Sequence, residues 1–186
     1  MVTSNRTVRW TVADLDLLPE DGRRYEIIDG ELFVTRAPHW KHQNVSVKIG
    51  TALENWSVQS GLGEPAINPG LVFSEADSVI PDVVWASRER LETLLDEAGH
   101  LVAAPNLVVE VLSPGEQNER RDKEAKLKIY STYGVLEYWI VDHNQQKVEV
   151  YRRDRGILQL ALSLYASDAL TSPVLPGFSV QVSQFF

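Results

Sequence analysis

Glu110 stands in Leu107-Val108-Val109-Glu110-Val111-Leu112, a run in which every other residue is apolar. A run that apolar reads as a strand buried on both faces. An ionised carboxylate is almost never fully buried there unless it is paired or metal-bound. Asp82, in Ile80-Pro81-Asp82-Val83-Val84-Trp85, poses the same problem, and so does Glu26 in Tyr25-Glu26-Ile27-Ile28. Three acids on three apolar strands leave three charges to neutralise. A divalent cation would neutralise a converging set. Mg2+ is commonly held by one or two carboxylates, with waters and substrate phosphate completing its shell. The chemistry such an ion would bring is the binding of a substrate phosphate.

Each acid also has an ordinary explanation. Glu26 could face water on an edge strand, with Glu31 across a hairpin on the same sheet. Asp82, directly after Pro81, suits a turn at a strand start. Glu110 could be one half of a buried salt bridge to an arginine. A source of counter-charge follows it in the chain. Asp122, Lys126 and Tyr130 fall at i, i+4 and i+8 on one helical face, with Tyr133 close by. Taken alone this is a solvated Asp–Lys pair; just after a strand with a buried Glu, Lys126 is placed to reach back over the site. Arg120, Arg121, Lys123, Lys126 and Lys128 set five cations against Glu116, Glu119, Asp122 and Glu124. A second cationic stretch holds Arg36, Lys41 and Lys48 with His39 and His42, and no acid between Arg36 and Lys48. His42 shares an apolar stripe with Val45, Ile49 and Trp56, where a hydrogen-bonded core histidine is the plain reading.

These residues sit in a chain of 186 residues with 18 Lys plus Arg, 26 Asp plus Glu and a net charge of −8. The length fits one domain, residues 1–186, able to bury a core without staples. With no Cys there is no disulfide, thiolate zinc site or cysteine nucleophile, which suits a cytoplasmic protein. No apolar run approaches the roughly 20 residues that span a bilayer, so no membrane partner is expected. Net acidity argues against non-specific coating of nucleic acid. It leaves room for an acidic metal site with a local basic rim.

The elements that must position the acids follow from pattern. Trp10 to Leu18 reads as a short helix. Arg24 to Ile28 and Glu31 to Thr35 form a hairpin around Asp29-Gly30. A long helix runs from about Pro38 to Gln59, its apolar positions recurring at three- and four-residue steps. Short strands are expected at Pro65 to Ile67, Leu71 to Phe73 and Pro81 to Trp85, and a helix at Arg88 to Glu97. After the Glu110 strand, Ser113-Pro114-Gly115-Glu116 has the form of a capping box. The helix it opens runs to Tyr133 and stops at Gly134. Glu137 to Asp142 pairs with Lys147 to Arg153, and Leu158 to Tyr165 and Phe178 to Val182 are further strands. The order gives an α/β protein with a mixed sheet, helices on its faces and a β-rich C-terminal part.

Pro81-Asp82, 27 residues, then Glu110-Val111-Leu112 resembles the PD-(D/E)xK nuclease signature. The wider string is more specific. It comprises Tyr25 to Leu32, Pro38 with His42, Pro81 to Val84, Pro105 to Pro114, Asp122 with Lys126 and Tyr130, and Gly134 to Asp142. Together these resemble the Uma-two type family of restriction-endonuclease-like proteins, over about Trp10 to Tyr165. The resemblance implies a restriction-endonuclease-like mixed central sheet flanked by helices, with extra β-strands at the C-terminus. It also implies a divalent-metal-dependent endonuclease acting on nucleic acid, DNA first, and leaving a 5′-phosphate and a 3′-hydroxyl. Asp82, Glu110 and the backbone oxygen of Val111 would hold Mg2+ or Mn2+, and Glu26 would complete the site. The pattern's lysine, two residues after Glu110, is Leu112 here; Lys126 on the following helix matches the position to which this family is thought to have moved it. His42, Arg120 and Arg121 would contact flanking phosphates.

Two other readings remain open in the sequence. Loss of the lysine at 112 is also what an inactive nuclease fold serving as scaffold or regulatory module would show. A metal-free hydrolase with two carboxylates could act on a glycosidic bond, though Trp56, Trp85 and Trp139 lie in apolar stripes and read as core. Phe185-Phe186 would form a sticky patch if exposed, and a homodimer suits a duplex cut on both strands; covering the domain's own core is the alternative.

Overall fold

The computed structural model describes residues 8–97, 99–113, 115 and 119–186. The first element is one turn of helix, α1 (Val12–Leu15), capped by Asp14 on Thr11. It is shorter than Trp10 to Leu18 because the Trp10 and Val12 N–H groups bond instead to Gly30 and Glu75 carbonyls. Strands β1 (Arg24–Ile28) and β2 (Glu31–Thr35) pair antiparallel with Ile28 opposite Glu31. Asp29 and Gly30 both have positive φ, 52° and 73°, which a two-residue turn of this hand requires at both positions.

Helix α2 (Trp40–Ser60) buries His42, Val45, Ser46, Ile49, Gly50, Leu53 and Ser57 along one face. Then come β3 (Gly63–Ile67), β4 (Leu71–Ser74), β5 (Asp77–Val79), β6 (Val83–Ser87), α3 (Arg88–Leu94) and β7 (Leu107–Val111). Asp82 lies one residue ahead of β6, so the strand starts later than Pro81. The capping box expected over Ser113 to Glu116 lies, at Pro114 and Glu116, outside the described residues. A π-helical segment (Arg121–Lys126) runs straight into α4 (Leu127–Tyr133). Gly134 ends it with φ 95°, a left-handed cap that glycine takes without strain. Strands β8 (Glu137–Asp142), β9 (Lys147–Asp154), β10 (Ile157–Tyr165), β11 (Ala169–Ser172) and β12 (Leu175–Gln181) follow, and a 3-10 turn (Val182–Phe185) closes the chain.

Ten of these strands form two sheets. The larger has the order β10-β9-β8-β7-β6-β3, with β7 and β8 parallel and its other neighbours antiparallel. This is the mixed central sheet with helices against it and extra strands at the C-terminal end. The smaller has the order β2-β1-β5-β4, and β11 pairs only with β12.

Side-chain alternation sends the two halves of each central strand to opposite faces. Val83, Trp85, Leu107, Val109, Val111, Trp139 and Val141 pack against Val45, Ile49 and Leu53 of α2 and against the C-terminal elements. Val84, Val108, Tyr138 and Ile140 pack on the other face against Ile129 and Tyr130 of α4 and Ile28, Leu71 and Val79 of the smaller sheet. Phe185 is buried in the first cluster and Phe186 packs on it, so these aromatics cover the protein's own core and do not form an exposed patch. Among the described residues no helix is long and apolar enough to cross a membrane.

Candidate active site

The pairing of β6 with β7 sets Val83 opposite Val109. The ladder ends there, with Asp82 in a bend just ahead of β6 and Glu110 the next residue of β7. Asp82 Oδ2 accepts the N–H of Val111 at 2.8 Å. His42 Nε2, from the first turn of α2, lies 3.2 Å from the same oxygen, and Arg24 Nη1 donates to Oδ1 at 3.0 Å. Both carboxylates are about 97 % buried or more.

Glu26 reaches this place from the smaller sheet. It pairs across the hairpin with Phe33 and is buried, not edge-exposed. Its Oε1 accepts the Ile80 N–H at 2.8 Å. Lys126 Nζ bridges the two sheets, 2.8 Å from Glu26 Oε1 and 2.9 Å from Glu110 Oε1. Tyr130 Oη donates to Glu110 Oε1 at 2.8 Å, and Arg121 Nε donates to Asp122 Oδ1 at 3.0 Å. The Tyr138 hydroxyl donates to the Asp122 backbone carbonyl at 3.0 Å, which ties the wide π turn to β8. Asp122, Lys126 and Tyr130 are all buried on the side facing β7.

A cleft of about 330 Å3 opens over these groups. Glu26, Asp82 and Glu110 line it together with Arg24, Arg121 and Lys126, and six consecutive residues, Val34 to His39, form one wall. Of the residues singled out in the sequence, Glu26, His42, Asp82, Glu110, Val111, Arg121 and Lys126 therefore share one small volume. Arg120 does not: it is exposed and pairs with Glu124 at i+4.

The electrostatics are those of buried acids and cations packed against one another. Burial would raise the Asp82 carboxyl, but the hydrogen bond and charge of His42, the Val111 N–H and Lys126 outweigh it and hold Asp82 down at about 2. Burial pushes Glu110 up to about 8; Lys126 opposes the shift, while Asp82, Asp122 and Glu26 add to it. Burial also raises Asp122 against the opposing pull of Lys126 and Arg121. Lys126 moves upward as well: burial pulls it down, and Glu110, Glu26 and Asp122 more than offset that. Lys126 thus keeps its proton throughout, and the acids around it carry fewer charges than their number.

The donor set suits a hard divalent cation, since Asp82 and Glu110 offer carboxylate oxygens from neighbouring positions. Among the described residues no group of three His, Asp or Glu side chains is arranged to hold an ion. A site of two carboxylates leaves the remaining positions to water and phosphate, a division Mg2+ accepts.

A family model described as Uma2, "Putative restriction endonuclease", matches residues 12–183. The chain belongs to this family. Its fold is shared with a crystal structure from Anabaena variabilis described as a putative nuclease of DUF820: 18% identity, TM-score 0.76, covering 95% of this chain and 97% of that one. The type IIG restriction endonuclease BpuSI is also similar, at 18% identity and TM-score 0.42, over 80% of this chain and 16% of that one. No curated protein matches significantly. The Uma2 chain thus shares its fold with the Anabaena variabilis protein.

One cleft residue, and one buried acid outside the cleft, lay unmarked in the sequence. Arg24 is two residues from Glu26 on β1, and that spacing puts both side chains on one face; the pair could have been read as a unit. Glu137 opens the Glu137-Tyr138-Trp139-Ile140-Val141 run and is fully buried. It lies outside the cleft, where it accepts Trp139 Nε1 at 2.7 Å and Arg152 Nε at 2.9 Å.

Proposed function

We propose that this Uma2 protein is a divalent-metal-dependent endonuclease that hydrolyses phosphodiester bonds in DNA. The observation that carries the reading is the placement of Lys126 within 2.9 Å of both Glu26 and Glu110, beside Asp82. An acid pair and a lysine are assembled although position 112 is the buried Leu112.

Asp82 and Glu110, with the Val111 carbonyl, would hold Mg2+ or Mn2+. When bound, the ion polarises a phosphate oxygen and makes water a better nucleophile. His42 and the Val111 N–H fix Asp82, and Tyr130 fixes Glu110. Because Lys126 stays an ammonium, it donates and does not act as a base. It orients the attacking water and offsets charge developing on phosphorus. Arg24, Arg36 and Arg121, which line the cleft, meet phosphate oxygens. Water adds to phosphorus, the bond to the 3′ oxygen breaks, and a 5′-phosphate and 3′-hydroxyl leave.

A structural reading has one observation in its favour: Asp82, Glu110 and Glu26 each already face an internal cation, as in a scaffold's ion network. Incubating labelled single- and double-stranded DNA with Mg2+, Mn2+ or EDTA separates the two. The nuclease reading expects cleavage with metal, none with EDTA, and at least about a hundredfold loss in D82N and E110Q. Wild-type protein inert with every divalent cation would leave only the scaffold, and variants that cut like wild type would take the chemistry away from Asp82 and Glu110.

A further inference from the structure

Trp40 is 79% exposed. It is the first residue of α2 and follows directly on His39, the last residue of the cleft wall. Trp85 and Trp139, by contrast, are core residues. Among the described residues the Trp40 ring stacks on no other aromatic, and its indole N–H makes no hydrogen bond. An indole so placed is a large apolar surface that folding does not use.

Its surroundings fit one kind of occupant. From Arg36 to Lys48 the chain carries no acid, in a protein whose net charge is −8; Arg36 and Lys41 flank Trp40 there, while the Lys48 ammonium donates to the Phe186 carbonyl. Arg36 lies in the cleft wall itself. Cations beside an exposed aromatic face, one residue beyond the wall of the cleft, are the two parts of a single-strand binding surface. Bases inside an intact duplex are stacked on both faces by their neighbours. Only an unpaired, terminal or extruded base can lie on an indole.

We propose that Trp40 is the stacking platform for an unpaired base next to the phosphate in the cleft, and that the substrate is nucleic acid unpaired at the cleavage point: a single strand, a flap or a frayed end. The proposal rests on the nuclease reading for the phosphate's place, and specifies the strand that enters.

Binding is measured by fluorescence anisotropy in Ca2+ with two labelled probes, an oligothymidylate of about twelve nucleotides and a hairpin duplex of similar length. Wild-type protein is expected to prefer the oligothymidylate. W40A should weaken that probe by about 5- to 150-fold, the range for loss of one base–aromatic stack, and weaken the hairpin, which is unpaired only at its loop and end, far less. W40F should restore most of the affinity, and quenching of intrinsic fluorescence on binding should shrink in W40F. Equal affinity of W40A and wild type for oligothymidylate overturns the proposal, as does tighter binding of the hairpin by both. A change in sedimentation of W40A with unchanged affinity also overturns it and makes Trp40 a contact between copies. Trp40-dependent binding with no cleavage under any cation would instead remove the nuclease reading and leave the platform standing. Cleavage that needs Asp82 and Glu110 but ignores Trp40 does the reverse.

Discussion

The Lys126 ammonium lies 2.9 Å from Glu110 Oε1 although the two residues are 16 apart in sequence and on different elements. The same ammonium also meets Glu26 from a second sheet. One side chain therefore joins the central sheet, the smaller sheet and the helix after β7, at the floor of the cleft.

Removing that ammonium separates catalysis from ion binding. K126M is expected to lower cleavage by about 10²- to 10³-fold, the usual cost of losing one preorganised donor to transition-state charge. In the absence of nucleic acid it should bind Mn2+ more tightly than wild type, because Glu26 and Glu110 no longer face an internal cation. Calorimetric titration with Mn2+ checks the second half; weaker binding in K126M would show that Lys126 does not compete with the ion.

Ion binding should expel a proton. Glu110 is pushed up to about 8, so at neutral pH it holds a proton that a metal ligand must give up. Titrating Mn2+ in two buffers of different ionisation enthalpy should show release of on the order of one proton at neutral pH, declining as pH rises through about 8. Equal apparent enthalpies in the two buffers would mean that Glu110 is already ionised.

The same shift fixes a stability profile. Between its ordinary value of 4.5 and about 8, native Glu110 keeps a proton that the unfolded chain has lost, so stability falls as pH rises across that window. Asp82 works in the other direction. Held at about 2 against 3.8, it contributes stability above pH 3.8 that disappears as pH falls through 2. Urea denaturation of E110Q should show a flatter curve over the upper window and higher stability at neutral pH, on the order of 1 kcal/mol. An unchanged slope would place the titrating group elsewhere.

Glu137 offers a control outside the cleft. It is fully buried and holds both Trp139 and Arg152, and Arg152 in turn donates to the Thr171 carbonyl of β11. E137A is expected to cost about 1–3 kcal/mol, the cost of leaving the buried Trp139 N–H without an acceptor, while E137Q keeps the acceptor for the indole and costs less. Nuclease activity per folded molecule should not change in E137Q. Thermal unfolding and an activity assay below the transition read both.

What the sequence disclosed, and what it hid, has a physical basis. Glu110 was legible because five apolar neighbours leave its charge no water, and that local contradiction needs no structure to see. The Asp29-Gly30 hairpin and the buried face of α2 were legible because turn chemistry and periodicity are local too. Strand β5 was not: Asp77-Ser78-Val79 is short and polar, and it becomes a strand only because β1 and β4 flank it. Arg24 was hidden because an arginine at the start of a strand usually faces water; here its partner, Asp82, is 58 residues away. The spacing of Asp122, Lys126 and Tyr130 put all three on one face, yet it is equally compatible with an α-helix. The contacts of the π turn are with Glu110, Glu26 and Tyr138, all distant in sequence.

That wide turn has an evolutionary consequence. A π turn carries a residue more than the α-helical ladder around it needs, so deleting one codon within Arg121–Lys126 would let the helix close up. Each residue spans about 100° of helix. Ile129 and Tyr130 would stay seated while Asp122 swung away from the floor of the cleft. A lineage could thus silence or regain its chemistry by a single insertion or deletion, with every strand of the protein left untouched.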